Sequence, residues 1–120
     1  INRGGGADTT GPSITSLIAT PNPLNGRTST VLTAMATDAN YRSNIAQAQW
    51  RCTAQACPAA IRNIWQQMSA QDGAFDETVE TLTATINVAG WTGKVTVYVR
   101  AQDTAGNWSA TSSVVLRITR

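Results

Sequence analysis

The sequence contains no histidine. Ser-His-Asp and Cys-His catalysis, and most zinc sites, therefore have no candidate residues. Lysine occurs once, glutamate twice and leucine five times in 120 residues, so helix-building side chains are scarce. Nine basic residues stand against seven acidic ones, a net charge of +2, and they run scattered from Arg3 to Arg120. Such a distribution makes neither a nucleic-acid stripe nor a charged tail. No apolar run approaches the ~18 residues of a membrane-spanning helix, and Ile1 onward shows no signal-peptide pattern. Phosphate-binding loops and the Gly-x-Ser-x-Gly elbow are also missing from the sequence.

What the chain has in quantity is threonine, valine and isoleucine, 18, 8 and 8 of them. With over a quarter of its residues β-branched, it favours pleated, half-buried surfaces. Residues 1–12 (INRGGGADTTGP) hold three consecutive glycines and read as a linker or N-terminal arm. Residues 13–120 read as one domain of short strands. Ser13 to Thr20 is the first, ended by Pro21-Asn22-Pro23 and a turn at Asn25-Gly26. Thr30 to Asp38 follows, with Leu32, Ala34 and Ala36 on one face and Val31 and Met35 on the other. A polar loop leads to Ile45–Cys52, where Ala46, Ala48 and Trp50 alternate with Gln47, Gln49 and Arg51, and Trp50 reads as core.

Residues 58–69 allow two readings. Ile61, Ile64, Trp65 and Met68 fall on a helical stripe, whereas Ile64 to Ala70 is also a short strand; the all-β surroundings favour the strand. Glu80–Val88, Lys94–Asp103 and Ser112–Thr119 then alternate cleanly, with turns at Ala89–Gly93 and Asp103–Asn107. About seven strands with turns at short spacing describe an all-β sandwich of two antiparallel sheets.

Three segments carry a likeness. Asp72-Gly73-Ala74-Phe75-Asp76, Thr83-Ala84-Thr85-Ile86 and Val97 through Asn107-Trp108 resemble the bacterial immunoglobulin-like domains (close in fold to fibronectin type III) of large secreted and surface proteins. Asp8 to Pro12 resembles the junction that joins such domains in tandem, and Pro21-Asn22-Pro23 with Leu32-Thr33-Ala34 resembles their first two strands. The likeness is weak between Cys52 and Asn63, and the two cysteines look like a local addition. It implies an immunoglobulin-like sandwich that serves as a spacer, an adhesion module or an appendage of a secreted hydrolase. It also implies that Trp91 and Trp108 cap the two ends of the sandwich.

Cys52 and Cys57, five positions apart, have the count and spacing for one structural disulfide. Two buried free thiols are the alternative, while a redox pair wants Cys-x-x-Cys. A bridge would place the chain outside the cytoplasm. Asp72, Asp76 and Glu77 cluster in one loop, and Asp38 and Asp103 are expected to meet at one end. Together they make the one candidate calcium set, and the sequence offers no other cofactor site. The bland alternative is that Asp72 and Asp103 make turn hydrogen bonds and Asp38 ends a strand. Among the aromatics, Trp65 reads as exposed, and with Tyr41 and Tyr98 it is a candidate ligand or sugar contact. Asn107-Trp108-Ser109 fits the glycosylation pattern, a signal of low information.

The expected role is a non-catalytic, extracellular structural or interaction module, with no nucleic acid and no membrane insertion. Its expected partners are neighbouring domains, copies of itself, or a cell-surface protein or glycan. The alternatives are a self-assembling filament or shell subunit joined by strand or end contacts, and a carbohydrate-binding accessory module.

Overall fold

A computed structural model describes residues 10–38 and 43–119. The strands are β1 (Ser13–Thr20), β2 (Ser29–Thr37), β3 (Ile45–Cys52), β4 (Gln66–Gln67), β5 (Ser69–Ala70), β6 (Val79–Asn87), β7 (Gly93–Asp103) and β8 (Ser112–Ile118). They form two four-stranded sheets, β1-β2-β6-β5 and β4-β3-β7-β8, in which every pair is antiparallel. Period-two alternation builds the space between them. Leu32, Ala34 and Ala36 of β2, Leu82 and Ile86 of β6, and Val95, Val97, Val99 and Ala101 of β7 are all buried there. Val31 and Met35 face outward, as the alternation of β2 predicts.

Two bulges shift that pattern. The register of β3 against β7 slips between Ile45 and Gln47, so Ala46 faces out and Ile45, Ala48, Trp50 and Cys52 face in. Ala46 is thus not a core residue: one extra residue turns its side chain over. In β1 the register slips between Thr15 and Ile18, with Ser16 at φ 56, and Ile18 is left more than half exposed.

The uncertain stretch resolves into three parts. Arg62 N–H donates to Pro58 C=O in a single helical turn, which Asn63 ends at φ 64. The expected strand then begins two residues late, at Gln66, and breaks at Met68. That residue donates its N–H to Ala48 C=O and is buried in the core. Before the break the chain pairs with β3, and after it with β6. One expected strand thus becomes two in different sheets, and seven become eight.

After β1 the chain crosses to the other sheet. Asn22, Leu24 and Gly26 hydrogen-bond to Val115, Arg117 and Thr119, which covers the outer edge of β8. Leu24 and Trp91 are buried at that end. At the opposite end, Asp38 N–H donates to Thr78 C=O and Ile45 N–H to Glu77 C=O, so one loop ties both sheets together. The registers place Ser13 beside Thr37 at this second end and Ile118 beside Gly93 at the first. The first strand therefore begins at one end and the last strand finishes at the other. Among the described residues no helix is long and apolar enough to cross a membrane.

Candidate functional site

Two groups of polar side chains stand out, and they lie on different sheets. The first is on the outward face of β4-β3-β7-β8. Alternation points Arg51 out from β3 and Tyr98 and Arg100 out from β7. The register sets Arg51 opposite Tyr98, and Gln49 opposite both Arg100 and Gln67. Trp65, just before β4, lies over the pair of arginines. The Arg51 guanidinium carbon is 4.6 Å from the Trp65 ring centre and 5.8 Å from that of Tyr98. Arg100 lies 4.1 Å from Trp65 and 3.9 Å from Trp108. The result is an alternating ladder, Tyr98, Arg51, Trp65, Arg100, Trp108, in which ring quadrupoles hold two like charges close together. Arg100 also donates through Nε and a terminal nitrogen to Gln49 Oε1, at 3.0 and 2.7 Å. Burial, and then the neighbouring charge of Arg51, hold the Arg100 guanidinium below its ordinary pKa.

This arrangement joins two of the expected contact aromatics, Trp65 and Tyr98; Tyr41 lies outside the described residues. Trp65 is half-buried and engaged by two guanidiniums. Trp108 does not cap an end of the sandwich. It is 36% exposed and rests on Arg100, because its bridge to Gln102 keeps it alongside β7. Trp91 does close an end, fully buried. Sequence reasoning missed Arg51, Arg100 and Gln49. Their outward direction was readable from alternation, but their adjacency depends on cross-strand register.

The second group is acidic. Carboxylate oxygens of Asp72, Asp76, Glu77 and Glu80 all lie within 4.8 Å of one another, the first three exposed and Glu80 buried. Asp72, Glu77 and Glu80 line a shallow hollow with Gln71, Val79 and Thr81. Glu80 Oε2 accepts from Asp76 N–H at 2.8 Å and from Glu77 N–H at 3.0 Å, and Asp72 Oδ1 accepts from Ala74 N–H at 3.2 Å. The Glu77 carboxyl is raised above its ordinary pKa by its hydrogen bond with Asp72 and by the charges of Glu80, Asp72 and Asp76. Asp38 and Asp103 do not join this cluster. Asp38 Oδ2 accepts from Ser43 N–H, and Asp103 accepts from the backbone and side chain of Asn107, which turns that amide toward the loop. Of the expected calcium set the structure gathers Asp72, Asp76 and Glu77, and it adds Glu80.

Cys52 and Cys57 form a disulfide, both sulfur-bearing residues buried, with Cα atoms 6.5 Å apart. It closes the loop that Arg62 also clamps by donating to Gln55 C=O and Cys57 C=O.

No protein-family model and no curated protein matches the chain. Among solved structures, the PKD domain of an M14-like peptidase from a Thermoplasmatales archaeon is similar, with a TM-score of 0.63 and 17% identity. The match covers 93% of this chain and 99% of that one. At that identity the likeness is one of fold, and the fold is the immunoglobulin-like sandwich.

Proposed function

We propose that this chain is a non-catalytic, extracellular structural module, a rigid spacer and interaction unit of a larger surface or secreted protein, of bacterial type. The observation that carries the reading is chain polarity: Ser13 stands at one end of the sandwich and Ile118 at the other. Modules built this way add length when strung in tandem, because each neighbour attaches at the far end. Three further facts support it. The similar solved domain is itself one part of a peptidase. The disulfide suits an oxidising compartment. Finally, the junction before β1 is held in place, since Gly11 lies against the Trp108 backbone with no room for a side chain.

Small-angle scattering from two copies fused in tandem through residues 1–12 tests the reading. The maximum dimension of the fusion should approach twice that of one copy, with a profile that rejects side-by-side packing. A fusion hardly longer than a single copy would contradict a spacer role.

A further inference from the structure

The ladder has an unusual charge balance. Among the described residues no ion pair joins Arg51 or Arg100 to a carboxylate; Arg100 donates to the neutral oxygen of Gln49, and the buried Arg51 Nε has no hydrogen-bond partner there. Stacking occupies the flat faces of a guanidinium and leaves its N–H donors in the plane of the group. Both groups are fixed against the same indole ring, so their donor edges are preorganised, and little side-chain entropy remains to be lost on meeting an anion. A surface of this kind receives carboxylates.

The complement lies on the same chain. Asp72, Asp76 and Glu77 are exposed and crowded with Glu80 within 4.8 Å, and the hydrogen bond with Asp72, followed by the neighbouring acidic charges, raises the Glu77 carboxyl above its ordinary pKa. Among the described residues no hydrogen bond or ion pair joins this loop to the ladder. The loop follows β5 in one sheet, whereas the ladder lies on the outward face of the other.

We propose that the outward face carrying Arg51 and Arg100 receives the carboxylate loop Asp72–Glu77 of a second copy of this chain, joining copies head to tail. After a contact forms, one copy still has its loop unused and the other its face, so the association is heterologous and grows into chains or rings. The contact relieves repulsion on both sides, between two guanidiniums on one and among carboxylates on the other. Its strength falls as salt screens these half-exposed charges. The inference rests on the module reading for its setting alone. A chain that stays monomeric overturns it and leaves the tandem-scattering result untouched.

Sedimentation velocity of the intact chain, at rising concentration in low and high salt, is the test. In low salt the weight-average mass should climb past twice the monomer value, and in high salt it should return to the monomer. Arg51→Glu with Arg100→Glu should abolish the climb, and so should Asp72→Lys with Glu77→Lys. The milder pair Asp72→Asn with Glu77→Gln should weaken association on the order of tenfold while sparing the fold. Mixing the two charge-reversed proteins should restore association, because an intact face then meets an intact loop and the reversed face meets a reversed loop of opposite charge. A wild-type monomer at every concentration in low salt would overturn the proposal, as would climbing mass in either charge-reversed protein or no pairing in the mixture. A monomer retained by a sulfated polysaccharide column through Arg51 and Arg100 would overturn it in favour of an acidic glycan.

Discussion

Glu77 and Glu80 sit three positions apart and do opposite things to the fold. Glu80 is buried and accepts two backbone N–H groups, so its charge is part of the loop's construction. Glu77 is exposed, and its carboxyl is pushed above the ordinary value, first by the hydrogen bond with Asp72 and then by its acidic neighbours. A raised carboxyl pKa means that the folded chain holds this proton more tightly than the unfolded one. The stability it contributes is therefore complete below the unfolded pKa and is lost as pH rises through the folded value. We predict that Glu77→Gln melts at the same temperature as wild type at acid pH and above it at neutral pH. Thermal melts across that range check this, and a variant less stable than wild type at neutral pH would contradict it. Glu80 was not among the expected acidic residues, because alternation assigns it inward and nothing in the sequence shows that the loop would fold back onto its carboxylate.

At the scale of elements, two connections hold the sandwich where strand pairing alone does not. The first is Gly11, at which an added Cβ would stand 2.1 Å from the Trp108 carbonyl oxygen. Backbone against backbone leaves no flexible atom to yield, so Gly11→Ala should cost about 1–3 kcal/mol by overpacking. Denaturant titration measures this, and an unchanged midpoint would mean that the junction is not docked. The second is the Cys52–Cys57 loop. Closing so short a loop contributes about 2 kcal/mol in the chain-entropy model, so Cys52→Ser with Cys57→Ser should lower stability by that order. Such a loss should leave the far-ultraviolet spectrum intact, since both residues lie at the margin of β3. The strands themselves were legible: in β2, β6, β7 and β8 the alternating apolar residues point where period two sends them. The bulges at Ala46 and Ser16 were not, because an inserted residue leaves no mark in a pattern of small and polar side chains. Nor was the split at Met68, where one extended run changes partners between sheets.

Across the whole molecule, the ladder and the acidic loop show what a single sequence leaves hidden. Arg51 and Tyr98 are 47 positions apart and become neighbours only through the pairing of β3 with β7; no local pattern sets that register. The start of the first strand and the finish of the last are related in the same way. Ser13 follows Thr37 to one end through β1 and β2, while β7 and β8 carry Arg117 to the other. Of these relations, the opposite placement of Ser13 and Arg117 bears most on function. Spin labels on cysteines introduced by Ser13→Cys and Arg117→Cys, in the oxidised protein, measure it by electron–electron resonance. Nine residue steps along β7, at roughly 3.3 Å each, separate the two ends, so one narrow distance distribution at about 30 Å is expected. A distribution centred at half that distance or less would put positions 13 and 117 at the same end and contradict this placement.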